Sequence, residues 1–226
     1  MSLTEYQNAI GRASDVLPRI GDDFISACLY IFIDAYRRMI NESNFNLNDK
    51  ETKFSAILIG YMRKIRDEEN IALRIDPENA LYNEEILEGD LDPDRAPIID
   101  IRISGGWVKE DVYFAIEAKI LVETKWNNRE AIKLHKRYID TGIDNFVNGR
   151  YASLMNKGCI AGYVIQGSIP NIVTKINEIL ISSNRNSEII TNLHSINGYD
   201  FFYESRHQKR SNNEFILIKH IFLNYN

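Results

Sequence analysis

The chain has 226 residues, a hydrophobic content of 44%, a charged content of 26% and a formal net charge of −5. These values are typical of one globular domain with a substantial core, and the negative charge argues against a protein that attracts nucleic acid over its whole surface. The longest apolar run, residues 24–33, is too short to span a bilayer, and the N-terminal residues do not form a basic region followed by an apolar run, so we expect no membrane contact and no signal peptide.

Two helices are predicted in the N-terminal part. After a mixed stretch with a turn at Pro18, apolar side chains recur every three or four residues over 21–43, and after a polar break they do so again over 49–68. The first helix is apolar on most of its faces, which indicates either burial or a dimer contact. Cys28 in this helix and Cys159 in a later apolar run favour buried free thiols in the cytoplasm over a disulfide framework.

An acidic region follows the second helix. Residues 67–100 hold twelve acidic residues and two basic ones, with a short strand expected at 71–75 and turns at the prolines beyond it. A solvated acidic loop is the simplest interpretation, and a loop that repels DNA or contacts a basic partner is the alternative.

Two strands are predicted next, at 98–103 and 112–122. The second is rich in β-branched and aromatic residues, which favour strands. The glycines between the two strands, Gly105 and Gly106, tolerate the positive φ angles of a tight turn. The pattern therefore predicts an antiparallel pair of strands.

The second of these strands carries two charged residues in an otherwise apolar sequence. Side chains on a strand alternate between its faces, so Glu117 and Lys119 share a face, and pairing across the turn brings Asp100 close to Glu117. Neighbouring carboxylates repel each other unless a cation lies between them, and Mg²⁺ prefers such oxygen ligands. The three residues predict a metal site, and the structural alternative is an ion pair of Lys119 with one of the carboxylates.

The pattern formed by Asp100, Glu117, Ala118 and Lys119 on two successive strands, followed by a helix, resembles the PD-(D/E)XK nuclease superfamily, although Ile99 and not a proline precedes the aspartate. The resemblance implies an α/β, restriction endonuclease-like fold in which a mixed β-sheet is flanked by helices. It also implies hydrolysis of phosphodiester bonds with Mg²⁺, for which Mn²⁺ can substitute. By the resemblance, Asp100 and Glu117 would bind the metal, and Lys119 would position or help deprotonate the attacking water.

In this superfamily a helix upstream of the aspartate often supplies a further acidic residue. Glu51 is the candidate here, as a catalytic residue and a metal ligand. Asn48 and Glu51 also have the spacing of an N-terminal capping box, in which the glutamate reaches back to a backbone N–H. Glu84 and Glu85 are rivals for the role of the additional acid, and the sequence leaves these alternatives open.

The region after the proposed site is basic. Residues 119–157 hold eight lysines or arginines against four acidic residues, and a helix is predicted over 128–140, with a further segment over 143–155. Because a phosphate backbone would lie against a basic surface beside the metal, we expect DNA contacts here, and a solvated helix face is the alternative. The candidate DNA-binding residues are Arg129, Lys133, Lys136, Arg137 and Arg150.

The C-terminal part predicts a strand at 159–166, a helix at 170–182 and a hairpin whose strands cover 199–207 and 215–223. His207 in the hairpin is interpreted as a structural residue, with a phosphate contact as the alternative. We therefore expect one nuclease-like domain over 1–226. Its parts are a core at about 48–182, an N-terminal helical extension at 1–45 and an added C-terminal β-hairpin at 199–224.

These features predict a metal-dependent endonuclease that acts on DNA, and the resemblance alone suggests defence against foreign DNA as its setting. One alternative is a ribonuclease. Another is a catalytically silent fold that binds nucleic acid or protein. A homodimer is plausible because cutting both strands needs two sites. The sequence contains no phosphate-binding G-x-x-x-x-G-K-[ST] loop, so no nucleotide cofactor is expected.

Overall fold

A computed structural model of the chain describes residues 13–42, 45–81, 88, 92, 94, 96–105, 113–151, 155–193, 195–196, 198–210 and 212–226, with backbone alone over 13–21. The α-helices are α1 (Ala13–Glu42), α2 (Glu51–Glu68), α3 (Ala131–Arg137), α4 (Asp144–Val147) and α5 (Ile169–Ser182). A π-helix, Tyr138–Ile143, joins α3 to α4, and a 3₁₀ turn, Asn186–Glu188, follows α5. The strands are β1 (Leu73–Ala80), β2 (Ile98–Gly105), β3 (Tyr113–Val122), β4 (Lys157–Gln166), β5 (Thr191–Asn192), β6 (Phe202–Gln208) and β7 (Phe215–Asn224).

The strands form one mixed sheet of seven strands in the order β1-β2-β3-β4-β7-β6-β5. The central pairs β3–β4 and β4–β7 are parallel, and the pairs on either side of them are antiparallel. In the two parallel pairs, Ile116 lies opposite Cys159 and Ile160 lies opposite His220. The predicted α/β class with a mixed sheet flanked by helices is confirmed.

Helices cover both faces of the sheet. On one face α1 and α2 pack on the strands, and Phe32 and Leu58 share a buried cluster with Ile116. On the other face α5 and the helical segment from α3 to α4 pack on the strands, and Tyr138 shares a second cluster with Leu121. This explains why β3 and β4 read as nearly continuous apolar runs, since a parallel strand between two helical layers has no solvent-facing side. Both cysteines are buried free thiols, as predicted.

Two elements near the N-terminus are longer than the sequence predicts. Helix α1 begins at Ala13 and passes through Pro18 without ending, at the cost of one backbone hydrogen bond. Strand β1 continues through Pro77, where the sequence predicts a turn. Because β1 pairs with β2 alone among the described strands and forms the edge of their sheet, a residue without an N–H is tolerated there.

The helix predicted over 128–140 has a different course. It begins at Ala131, changes to π-helical winding at Tyr138 and continues to Val147. Carbonyl groups along this segment gain side-chain donors: the Thr141 hydroxyl donates to the Arg137 carbonyl (2.9 Å) and the Asn145 amide to the Thr141 carbonyl (2.8 Å). These bonds satisfy acceptors in a region of irregular winding.

The C-terminal hairpin is part of the main sheet. The sequence predicts it as an addition to a core that ends near residue 182, but β7 lies between β4 and β6 and pairs with both. The reason is the apolar sequence of β7, which is buried on both faces over Ile221–Leu223 and so suits an interior position. Among the helices in the described ranges, none combines the length and the apolar character that crossing a membrane requires.

Candidate active site

The proposed site lies where β2 and β3 diverge. The paired residues run from Ser104–Tyr113 to Ile101–Ile116, and one further step in this register sets Asp100 opposite Glu117. Here the side chain of Asp100 replaces the backbone partner, because its Oδ2 accepts the N–H of Ala118 at 2.7 Å. The divergence therefore brings two carboxylates together, and the backbone bond fixes the position of one of them.

Glu51 binds a second backbone N–H on the same edge of β3, two residues beyond Ala118. It is the first residue of α2, and its Oε2 accepts the N–H of Ile120 at 2.8 Å. The capping-box interpretation is wrong, because the N-cap residue is Lys50 and no side chain caps the helix. The preceding turn is closed instead by Asn46 and Asp49, whose Oδ2 accepts the Asn46 N–H at 3.1 Å.

Lys119 lies among the carboxylates. Its ammonium group forms an ion pair with Glu117, donates to the Ala118 carbonyl at 2.9 Å and lies 4.0 Å from Oε1 of Glu51. The Lys119 side chain is only 4% exposed, so these contacts replace nearly all of its hydration. The π-helix packs closely above it: a Cβ atom added to Gly142 would lie 4.0 Å from Cγ of Lys119.

The charges in this cluster do not balance. Asp100, Glu117 and Glu51 have two cations within ion-pair distance, because Arg137 donates to Oε1 of Glu51 at 2.9 Å and Lys119 supplies the other charge. Arg129 interacts with Glu51 from farther away. Burial raises the pKa of Glu117, and the charge of Asp100 raises it further; together they bring it to about 8 against the opposing effect of Lys119. Burial also raises the pKa of Glu51. Burial and the neighbouring Asp100 thus disfavour the ionised form of Glu117, and a further cation would favour it.

The donor set suits a hard divalent cation. Oε2 of Glu117 is buried and has no hydrogen-bond partner among the described atoms. Mg²⁺ is often held by one or two carboxylates and several waters, so Asp100 and Glu117 are a sufficient pair. Within the described ranges, no three acidic, histidine or cysteine side chains are arranged closely enough to hold a metal ion. Glu51, which Arg137 engages, is therefore not in a ligating position beside the other two.

Four of the five basic residues predicted to contact DNA are exposed, and the fifth, Arg129, is engaged in contacts within the protein. Arg137 lies at the site itself, and Lys133, Lys136 and Arg150 are exposed on the same helical layer. Arg129 is engaged elsewhere. Its guanidinium donates to the carbonyls of three residues before α2 and stacks on the ring of Trp126. Those carbonyls belong to Leu47, Asn48 and Asp49. Arg129 thus holds the start of α2 in place, and this positions Glu51.

The two rival candidates for the additional acid, Glu84 and Glu85, lie outside the described residues.

Tyr151 belongs to the site although the sequence analysis did not select it. Its hydroxyl donates to the carbonyl of Ile98 at 3.0 Å, two residues before Asp100. Burial raises its pKa, and the charges of Glu117 and Asp100 raise it further. No spacing rule could have found it, because it reaches β2 from the loop after α4.

A second polar chain is buried under the far half of the sheet. Tyr138 donates a hydrogen bond to Nδ1 of His220 (2.7 Å), and Nε2 of His220 donates to the Ser205 hydroxyl (2.7 Å). The Ser205 hydroxyl in turn donates to Nε2 of His207 (2.6 Å), and Nδ1 of His207 donates to the Glu188 carboxylate (2.6 Å). With the donors assigned in this direction, every bond of the chain has one proton. His207 is 1% exposed, so a phosphate contact is wrong and the structural interpretation is correct.

Fold and site together define an α/β protein with three carboxylates, one lysine and one arginine converging on the edge of a central strand. No family model, no curated protein and no solved structure matches the chain. Its function must therefore be argued from these residues.

Proposed function

We propose that this protein is a metal-dependent nuclease that hydrolyses phosphodiester bonds of DNA, built on a restriction endonuclease-like version of its α/β fold. The observation that supports this proposal is the buried Oε2 of Glu117, which receives no hydrogen bond from a donor among the described residues and lies next to Asp100. A carboxylate oxygen without a donor in a protein interior is costly, and a divalent cation held by both side chains would remove the cost. The same pair lies beside Lys119, as in the nuclease superfamily that the sequence resembles.

In this mechanism Asp100 and Glu117 would hold Mg²⁺, with Mn²⁺ as a substitute, and Glu51 would add a further carboxylate. The metal would supply Lewis-acid stabilisation of charge on the scissile phosphate. Lys119 orients the attacking water, because its ammonium is fixed by Glu117 and by the Ala118 carbonyl. The exposed cations Lys133, Lys136 and Arg150 bind the phosphate backbone around the site.

A catalytically silent fold is the second candidate, and one observation favours it. The ion pairs Lys119–Glu117 and Arg137–Glu51 already engage two of the three carboxylates. In such a protein the cluster would be a structural core, and the basic helical layer would bind nucleic acid or another protein.

Cleavage of supercoiled plasmid with Mg²⁺ or Mn²⁺ tests the proposal. The variants are Asp100→Ala, which removes a proposed ligand, and Lys119→Met, which keeps the length of the side chain and removes its charge. Lys64→Ala is the matched control, because Lys64 is exposed and lies over Tyr61 on α2. Circular dichroism and thermal melting establish that each variant folds.

Nicking or linearisation by the parent and by Lys64→Ala, and its loss in the two site variants, would establish the nuclease and its residues together. Cleavage of an RNA transcript but not of plasmid would identify a ribonuclease. If no substrate is cut and Mn²⁺ does not raise the melting temperature of the parent, the silent fold is correct, because a ligand that binds the folded state must stabilise it.

A further inference from the structure

Arg137 separates the candidate site from solvent. Its side chain is 51% exposed, whereas those of Glu51 and Lys119 are 12% and 4% exposed. Nη2 of the guanidinium donates to Oε1 of Glu51 at 2.9 Å. One carboxylate of the cluster is therefore bound by a cation that a ligand can reach from outside.

The two oxygens of Glu51 have different freedom. Oε2 is fixed because it accepts the N–H of Ile120 at 2.8 Å. Oε1 depends on Arg137, and its next cation, Nζ of Lys119, is 4.0 Å away. Oε1 is thus the atom whose partner can change while the backbone bond stays in place.

We propose that Arg137 is a positioning residue that holds Glu51 away from the metal until a phosphate of the substrate takes over its guanidinium. This inference rests on the proposed nuclease function and explains why Glu51 is not gathered with Asp100 and Glu117 into one ligand group. Substrate binding then completes the set of three carboxylates.

The exchange of partners follows from the strengths of the two contacts. A half-exposed ion pair contributes little free energy, because water screens it and the long side chain loses freedom. A guanidinium binds phosphate through two parallel hydrogen bonds, which are stronger and more directional. Lys133, one turn before Arg137 and exposed on the same face of the helix, draws the phosphate to this position.

A carboxylate and a phosphate on one guanidinium would repel each other, so the arriving phosphate displaces Glu51. The freed Oε1 then has Lys119 as its nearest cation and adds negative charge beside Asp100 and Glu117. Metal affinity rises as a result, and by thermodynamic linkage the metal strengthens binding of the substrate by the same factor.

Mn²⁺ affinity, measured by isothermal titration calorimetry on the full chain without nucleic acid, tests the inference. Arg137→Gln frees Glu51 permanently, and Arg137→Lys keeps the charge but loses the fork geometry. Lys125→Gln is the matched control, because it also removes an exposed cation from an ion pair, here with Glu130. Glu51→Gln and the double variant Glu51→Gln/Arg137→Gln complete a cycle.

We expect Arg137→Gln to bind Mn²⁺ about five- to tenfold more tightly than the parent, Arg137→Lys to show a smaller gain, and Lys125→Gln to change affinity less than about twofold. In the Glu51→Gln background the gain from Arg137→Gln should disappear. A gain that persists there would overturn the inference, because it would reflect only the loss of a positive charge. Mn²⁺ binding that no Arg137 variant changes would overturn the inference alone, whereas no Mn²⁺ binding by any variant would overturn the nuclease proposal with it.

Discussion

Replacing Glu117 with glutamine should stabilise the metal-free protein at alkaline pH, although it removes a side chain that we propose as a metal ligand. The carboxylate is buried against Asp100, and glutamine has nearly the same volume without the charge. The remaining anions, Asp100 and Glu51, would then balance Lys119 and Arg137. Removing one negative charge therefore removes the imbalance of the cluster.

The magnitude follows from the pKa of Glu117, which burial and the charge of Asp100 raise from 4.5 to about 8. Below pH 4.5 the carboxyl is neutral in the folded and the unfolded chain; between 4.5 and about 8 only the unfolded chain ionises. Stability therefore falls as the pH rises through this window, by roughly 5 kcal/mol at most. Because Lys119 loses its charged partner in the variant, we expect a net gain of about 1–3 kcal/mol at about pH 9.

Urea denaturation in the presence of a chelator, at about pH 5 and about pH 9, measures this gain. Glu178→Gln makes the same chemical change on the exposed surface of α5 and should alter stability by less than about 0.5 kcal/mol. Mn²⁺ should raise the melting temperature of the parent and of Glu178→Gln but not of Glu117→Gln. If Glu117→Gln is less stable than the parent at pH 9 without metal, the ion pair with Lys119 outweighs the repulsion from Asp100, and the reasoning is wrong.

Three further predictions concern the rest of the molecule. Tyr138→Phe should cost about 1–2 kcal/mol in urea denaturation, because it leaves the buried ring nitrogen of His220 without a donor. Burial opposes the ionisation of Glu188, but the hydrogen bonds that its carboxylate accepts lower its pKa from 4.5 to about 2. The folded protein therefore loses stability as the pH falls from about 4.5 towards 2, and acid titration of Glu188→Gln should show a smaller loss over this range. Gly162→Ala should lower the free energy of unfolding by about 1–3 kcal/mol, because the added Cβ would lie 2.6 Å from a ring carbon of Phe222 in β7. Gly60→Ala meets nothing within 4 Å and should raise the free energy of unfolding by about 1 kcal/mol, and thermal melts compare the two variants.

Local patterns predicted that Asp100, Glu117 and Lys119 lie close together in space. The strand periodicity around Glu117 and Lys119 was enough to infer the antiparallel pair, and the last observed pair, Ile101–Ile116, lies one step from Asp100 and Glu117. Gly105 is the last residue of β2 and Gly106 lies outside the described residues, so the turn stays a prediction. These features depend on neighbours in sequence, where alternation and turn geometry act directly.

Features that depend on packing between distant elements could not be predicted. Glu51 reaches β3 because Arg129, far away in the sequence, donates to backbone carbonyls just before α2 and holds the start of that helix in place. Nothing in the spacing of Glu51 and Arg129 indicates this contact. The buried chain from Tyr138 to Glu188 combines four elements of the fold. The interior position of β7 likewise follows from which strand edge is free once β4 has formed.

The position of β7 also governs how the protein can fold. Residues 215–224 are the only link between the β1–β4 part of the sheet and the β6–β5 part in the described structure. Until they are in place, β4 presents an unpaired and highly apolar edge, which is a template for aggregation. Sheet assembly must therefore wait for contacts between residues far apart in sequence, so we expect slow folding and a chain that benefits from protection while it is incomplete.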